Sequence, residues 1–332
     1  MNKRQIVKGL AGLARVLLLI FCVSFAAFFL LAVSPIDPLQ SNVGQAALGS
    51  MSQEQIDKLR EYWGMNTPMA VRFLNWAWDF VGGDMGVSLL YRRPVAEVLL
   101  EKTVNSLWMM AAAWVLSGVI GFVLGVWAGA NRGKWQDKLV TGYSLLMAST
   151  PAFFLALVLL MVFSVWLKVL PVGFAVPVGT AAADVTLADR LVHGILPAAA
   201  LSLTGISNIA LQTREKMAAV MESDYMLFAR ARGEKKWIAI RRHGLRNIAL
   251  PAMTLQFASV SEIFGGSVLV EQVFSYPGLG QAAVDAGLGS DVPLLLGITV
   301  VSAVIVFGGN ALADFLYGII DPRIRKRRES GR

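Results

Sequence analysis

Six apolar runs, each long enough to cross a lipid bilayer, dominate this sequence. A membrane-spanning helix needs roughly 20 mostly apolar residues. The candidate spans run approximately over 16–33, 106–130, 140–167, 191–211, 250–270 and 294–320. Hydrophobic residues make up 56% of the 332 residues and charged residues only 16%, which is too apolar for an ordinary soluble domain. We therefore predict an all-α integral membrane protein with six transmembrane helices.

Basic residues are concentrated on one side of these runs. Most of the 30 Lys and Arg residues lie in the two termini and in the loops 132–138 and 214–246, whereas acidic residues outnumber basic ones in 34–103. Because positive charge is retained on the cytoplasmic side of a bacterial inner membrane, we predict that both termini and both loops are cytoplasmic.

The same charge pattern predicts the organisation of the chain. Residues 1–33 form a cytoplasmic N-terminus and the first span, since the first run is too long for a signal peptide and lacks a small-residue cleavage site. Residues 34–103 form a periplasmic insert, in which MSQEQIDKLREYWGM has the charge pattern of a surface helix. Residues 104–322 form the transmembrane core, and 323–332 form a basic cytoplasmic tail.

Charge, cysteine usage and missing motifs exclude several classes of function. The net charge of +8 indicates membrane lipid and no nucleic acid as the neighbour, because the basic residues flank apolar runs. Cys22 lies inside the first run, so no disulfide framework or thiolate metal site is expected. AGANRGKW departs from a phosphate-binding loop at Ala128 and Trp135, and HExxH and GxSxG do not occur. We predict no catalytic residues, no metal site, no cofactor and a separate ATPase chain.

The stretch ESDYMLFARARGEKKWIAIRRHGLRNIALP, between the fourth and fifth runs, is the most informative. Ser223 can cap a short helix, Asp224 favours its positive end, and Gly233 can end it in a left-handed conformation. A second helix is predicted over 235–247, before Pro251. Two short cationic helices around a glycine form a projection that can fit a partner's groove. The alternative is a solvated basic loop near anionic lipid.

These residues resemble those of a known family. ARARG followed by RRHGLRNIALP is similar to the ATPase-docking (EAA) loop of permeases in the dipeptide, oligopeptide and nickel branch of ABC importers. LREYWGMNTPMAVRFLNWAW, STPAFFLALVLL, VEQVFSYPGLGQAA and NALADFLYGIIDPRIR also resemble this family, in the same order. Leu227, Phe228 and Ala229 stand where the general pattern has Glu-Ala-Ala, and SDVP at 290–293 departs from the usual arginine before the aspartate.

The resemblance implies a type I ABC importer permease fold with the docking loop at 214–250. It also implies a second homologous permease subunit, two cytoplasmic ABC ATPase subunits and a periplasmic or lipid-anchored solute-binding protein as partners. The docking residues that it implies are Asp224, Tyr225, Ala229, Arg230, Ala231, Gly233, His243, Arg246, Asn247 and Pro251. The implied substrate is a peptide, with nickel or a metal chelate as the alternative.

Several residues within the runs carry further expectations. Glu262 is a candidate for the translocation path, because an ionisable group inside a span is costly unless it faces a cavity or finds a partner; a structural hydrogen bond is the alternative. Gly121, Gly125 and Gly129 predict close helix packing. Pro151 and Pro197 should kink or break their spans. An ion-driven secondary transporter is less favoured, since Glu262 is nearly alone and no internal repeat is evident.

Overall fold

The computed structural model describes residues 3–33, 45–62, 67–177, 179 and 185–320. This part of the chain is almost entirely helical, and its β-structure is one isolated bridge between Val87 and Pro94. The predicted tail at 323–332 lies outside the described residues. The α-helices are α1 (Lys3–Val33), α2 (Gln45–Ser50), α3 (Gln53–Tyr62), α4 (Met69–Val81), α5 (Val95–Ala130), α6 (Trp135–Ala148), α7 (Ala152–Leu159), α8 (Leu187–Met221), α9 (Asp224–Ala231), α10 (Lys236–Ala239), α11 (Leu245–Ala258), α12 (Val260–Val273), α13 (Leu279–Leu288) and α14 (Val292–Ile320). Two π-helical turns, Leu160–Trp166 and Ile240–Gly244, follow α7 and α10.

The all-α membrane fold is confirmed. Within the described residues, four helices are long and apolar enough to cross a membrane, namely α1, α5, α8 and α14. The third and fifth apolar runs correspond to two bent pairs: α6 with α7 and its π-helical turn, and the helical segment that ends at Ala258 with α12. The number of spans reaches six when each bent pair counts as one.

Two prolines inside the apolar runs have different effects. Pro151 separates α6 from α7, and this pair is bent by 105°, so the predicted break is confirmed. At the end of α6, the hydroxyls of Ser149 and Thr150 donate to backbone carbonyls one turn earlier, which satisfies acceptors that a helix end leaves free. Pro197 instead lies inside α8, which runs without interruption over Leu187–Met221. This proline therefore does not break its helix.

Contacts divide the chain into two compact units. The first comprises Met1–Asn105 and Gly278–Gly308, and the second comprises Ser106–Pro277 and Gly309–Arg332. In the first unit, the predicted surface helix is confirmed as α3. Its N-terminus carries a capping box, in which Ser52 and Gln55 each bond the other's backbone N–H group.

A buried carboxylate organises part of the first unit. Asp291, from the SDVP stretch, is 0% exposed. It accepts hydrogen bonds from the Ser88 hydroxyl at 2.6 Å, from the Leu90 N–H at 3.0 Å and from the Leu294 N–H at 3.2 Å. One side chain therefore caps the start of α14 and also holds the loop that precedes α5.

Close contact between α5 and α8 defines the core of the second unit. A Cβ atom added at Gly121 would lie 2.9 Å from the Ile206 carbonyl oxygen, and one at Gly125 would lie 2.5 Å from the Thr213 Cβ atom. At Gly129 it would lie 2.5 Å from the carbonyl oxygen of an α8 residue. The predicted role of these glycines in close helix packing is confirmed.

Candidate docking site and translocation path

The candidate docking site is the stretch 223–251, called here the docking segment. Its first helix, α9, begins after Ser223, whose backbone is extended (φ −74°, ψ 152°) as in an N-cap residue. The Ser223 hydroxyl donates instead to the Val220 carbonyl, one turn back in α8, and makes no hydrogen bond to the N-terminus of α9. The predicted side-chain cap is therefore wrong, although Ser223 occupies the N-cap position. Asp224 lies in the first turn of α9, where its charge favours the positive end of the helix dipole.

Gly233 ends α9 in the predicted left-handed conformation, with φ +80°. Its N–H group donates to the Arg230 carbonyl at 2.9 Å, and the Glu234 N–H donates to the Ala229 carbonyl at 3.1 Å. This pair of bonds forms a Schellman motif, in which glycine is preferred. No atom lies within 4 Å of a Cβ atom added at Gly233, so a side chain there would meet backbone strain and no clash.

The second helix of the docking segment differs from the prediction. It does not end near Asn247; α10, the π-helical turn Ile240–Gly244 and α11 form one helical segment that runs into the membrane-spanning part. Pro251 lies inside α11 and does not mark its start. Buried Ile248 and Ala252 flank this proline, and such packing offsets the hydrogen bond that proline removes from a helix.

The inner face of the docking segment is apolar and packs against neighbouring helices. Met226 and Ala229 of α9 join Ala239, Ile240 and Ile248 in a buried cluster. The same cluster includes side chains from the ends of α5 and α8. The segment is thus anchored to two membrane-spanning helices. Ala229 is only 3% exposed, so its role is packing within this cluster.

The outer face of the docking segment combines exposed apolar side chains with basic ones. Phe228 and Trp237 are 65% and 64% exposed, and the Arg232 guanidinium lies 5.8 Å from the centre of the Phe228 ring. Exposed apolar patches with a polar rim mark interaction sites. Sequence reasoning missed Phe228 and Trp237 as site residues, although aromatic side chains in a strongly basic loop are a usable signal. The exposed predicted residues are Asp224, Tyr225, Arg230, Ala231, Gly233, Arg246 and Asn247, while His243 and Pro251 are partly buried.

Polar contacts join α9 to the helical segment that follows Gly233. The Asn247 amide donates to the Tyr225 hydroxyl at 3.1 Å and to the His243 carbonyl at 2.9 Å. The Glu234 carboxylate lies 3.4 Å from His243 Nε2 and 3.7 Å from an Arg242 guanidinium nitrogen. These contacts hold α9 beside the π-helical turn, so α9 and the helical segment that follows Gly233 form one rigid projection.

A partly buried ion pair connects α6 to α8 in the second unit. The Arg214 guanidinium of α8 makes two hydrogen bonds to the Asp137 carboxylate of α6, one of them 2.9 Å long. Asp137 is only 4% exposed and also accepts the Gly133 N–H at 2.8 Å. Paired planar bonds of this kind are strong and directional. The pair fixes α6 to the end of α8 that leads into the docking segment.

Glu262, the candidate residue of the translocation path, lies in the first turn of α12. This helix follows a 46° bend after Ala258. The Glu262 carboxylate is exposed and accepts a hydrogen bond from the Asn208 amide of α8 at 3.2 Å. The structural hydrogen bond, which was the alternative to a path role, is therefore present, and the carboxylate remains exposed beside it.

Sequence reasoning missed the second carboxylate of α12, Glu271. It is 0% exposed and accepts the Ser106 hydroxyl at 2.7 Å. Burial raises the pKa of nearby Tyr276 to about 12, and the Glu271 charge adds to this shift. No group of three or more His, Cys, Asp or Glu side chains that could hold a metal occurs among the described residues.

Comparison with known proteins identifies the family. Residues 121–326 match the family described as "Binding-protein-dependent transport system inner membrane component". The chain belongs to this family. It is 34% identical to the oligopeptide transport system permease protein AppB of Bacillus subtilis, over 91% of this chain and 94% of that protein. It is 33% identical to a putative peptide permease protein of Brucella ovis over 92% of this chain and 95% of that protein. The glutathione transport system permease protein GsiC of Escherichia coli is 32% identical, over 96% and 98% of the two chains.

Family membership decides between the classes of function. The chain is a multi-pass permease subunit of the inner membrane, and it works in an ABC importer with a solute-binding protein and an ATPase. It is not an enzyme, and membership of this family also argues against an ion-driven secondary transporter.

Proposed function

We propose that this permease forms half of a translocation path for peptides across a bacterial inner membrane. A second, homologous permease forms the other half, two cytoplasmic ABC ATPases drive the pair, and a periplasmic or lipid-anchored binding protein delivers the substrate. A peptide is favoured over nickel or a metal chelate because the relatives above are named for oligopeptide, peptide and glutathione transport.

The docking segment is the observation that carries the proposal. Its outer face presents Phe228, Trp237 and basic side chains to a partner, while its inner face is packed against the ends of α5 and α8. A push on the outer face therefore reaches the membrane-spanning helices through buried contacts. In the proposed cycle, ATP binding moves the ATPases, and the docking segment passes this movement to the helices.

The proposal includes an orientation for the chain. Both termini and the docking segment are cytoplasmic, and the insert 34–103 is on the periplasmic side. With Cys22 replaced by Ala, Glu54→Cys on α3 should react with an impermeant thiol reagent in intact cells. Lys235→Cys, exposed in the docking segment, should react only after the membrane is opened. The reverse labelling pattern contradicts the orientation.

Substrate class is tested by uptake into vesicles that contain the complete importer. Labelled di- and oligopeptides should accumulate in an ATP-dependent manner and should compete with one another. Nickel ions and nickel chelates serve as the matched competitors. ATP-dependent nickel uptake that peptides do not inhibit would replace the peptide assignment.

A further inference from the structure

The short helix α4 has one narrow polar side and is otherwise apolar, a pattern that the proposed function does not use. It spans Met69–Val81, which is 13 residues or about 20 Å, too short to cross the hydrocarbon core of a bilayer, which is about 30 Å thick. Its three polar side chains, Arg72, Asn75 and Asp79, follow an i, i+3, i+7 spacing and so share one narrow side of the helix. The rest of its circumference is apolar.

One apolar side of α4 is packed against α1. Phe73 is 3% exposed, and its ring centre lies 5.5 Å from that of Phe21, 5.2 Å from that of Phe25 and 5.5 Å from that of Phe28. All three α1 phenylalanines belong to Ala14–Leu31, the part of α1 that qualifies as a membrane span.

These contacts place α4 at the depth of the hydrocarbon core. Phe25 precedes Leu31, the end of the α1 span, by six residues, or about 9 Å along the helix. Phe73 also shares a buried cluster with Leu296 and Val292, from the first two turns of the α14 span. Two membrane spans therefore place Phe73 inside the same end of the hydrocarbon region.

The other apolar side of α4 is exposed. Leu74, Trp78 and Val81 are 61%, 81% and 85% exposed, and their spacing puts them on one side, away from the polar stripe. The α1 span that packs against α4 is similarly exposed, with Leu30 69% accessible. At the depth of a membrane span, such exposed apolar side chains have hydrocarbon chains as neighbours.

From this arrangement we infer that α4 is seated in the bilayer leaflet at the Leu31 end of α1, with Leu74, Trp78 and Val81 against lipid chains. Asn75 and Asp79 of the polar stripe are exposed and face water and lipid headgroups, as in interfacial amphipathic helices, while the Arg72 guanidinium lies 5.8 Å from the centre of the Phe28 ring of α1. Trp78 has the side chain preferred at a membrane interface. The insert 34–103 is then anchored to the membrane surface along α4. The occupant of the apolar stripe is lipid and not another protein chain.

Spin-label accessibility tests this inference on the complete importer in lipid vesicles. Single cysteines are introduced on a Cys22→Ala background at adjacent positions of opposite character, Leu74→Cys against Asn75→Cys. Trp78→Cys against Asp79→Cys forms a second pair, which keeps the test open if one variant does not assemble. Collision with oxygen reports lipid, and collision with a water-soluble nickel chelate reports water.

Two reference positions calibrate the result. Leu30→Cys in the α1 span represents lipid, and Glu54→Cys on α3 represents water. The oxygen-to-nickel ratio at Leu74 and Trp78 should match that at Leu30 and exceed several-fold the ratio at their polar neighbours. A ratio that matches Glu54 overturns the inference, because the stripe is then in water. Low collision rates with both reagents also overturn it, because another protein chain then covers the stripe.

Discussion

Gly233 is the most informative position for perturbing the docking segment. Its φ of +80° lies where an L-residue pays about 1–2 kcal/mol. Since no atom lies within 4 Å of an added Cβ atom, Gly233→Ala introduces this strain without a clash. The strain is relieved only if the two hydrogen bonds of the Schellman motif open. Their loss would change the direction, relative to α9, of the helical segment that begins at Lys236.

The strain sets the upper limit of the expected loss of binding. A cost of about 1–2 kcal/mol shifts the equilibrium between the closed and the opened turn by about 5- to 30-fold toward the opened form, so the affinity for the ATPase falls by at most this factor. Gly233→Asn should lose less than Gly233→Ala, because asparagine tolerates the left-handed region better. Gly233→Asp has nearly the same shape as Gly233→Asn, so the difference between them isolates the effect of a negative charge beside the basic outer face.

The assay is ATPase affinity for the permease in lipid nanodiscs, together with substrate-stimulated ATP hydrolysis. Gly83→Ala is the matched control: its φ is +92° and no atom lies within 4 Å of an added Cβ atom, but it follows α4 and lies outside the docking segment. It should leave ATPase binding unchanged. Wild-type affinity in both Gly233→Ala and Gly233→Asp would show that the left-handed turn at Gly233 does not control ATPase docking.

Three further perturbations test other parts of the account. Gly125→Ala should destabilise the detergent-solubilised protein by about 1–3 kcal/mol through overpacking against α8. Gly142→Ala, with open space around it, should not. Equal melting temperatures of the two variants contradict this packing. Asp137→Asn removes the negative charge that pairs with partly buried Arg214 and should cost about 1–3 kcal/mol, measured by thermal unfolding; an unchanged midpoint argues against the ion pair. If Glu262 faces the path, Glu262→Gln should change the uptake of charged peptides at normal protein levels. Asn208→Ala removes the hydrogen bond but keeps the charge, so it should change uptake less. Equal effects of the two variants favour a structural role.

Much of the fold is predictable from the sequence because lipid imposes a simple rule on composition. Each span has to be apolar over roughly 20 residues and satisfy its own backbone hydrogen bonds, so six runs could be recognised without any tertiary information. Local backbone geometry was equally accessible. The left-handed Gly233 followed from a basic helix end before a glycine, and the close packing at Gly125 followed from glycine spacing alone.

The interruptions of the spans were less predictable. Pro151 follows a serine and a threonine whose hydroxyls take over helix-end carbonyls, which helps a helix to end there. Pro197 follows buried Leu196, whose apolar side chain offers no such donor, and its helix continues. A proline removes one helical hydrogen bond, but the side chains of the residues before it determine whether the helix ends or continues.

Contacts between distant residues were not predictable at all. Asp137 and Arg214 are 77 residues apart, and Glu271 meets Ser106 across 165 residues. Nothing in local periodicity identifies such partners, because the pairing depends on which helices become neighbours. The exposed aromatic side chains of the docking segment, Phe228 and Trp237, were missed for another reason, because the local signal of aromatic residues in a strongly basic loop was not used.

Binding of the ATPase to the outer face of the docking segment can be measured by cross-linking. A photo-activatable cross-linker is placed at Phe228 or Trp237 in the complete importer, with Glu54, 79% exposed on α3, as the control position. We expect a permease–ATPase adduct from both docking positions, an adduct yield that changes when ATP is bound, and no adduct from Glu54. No adduct from either docking position, in an importer that still hydrolyses ATP in response to substrate, would contradict binding at this face.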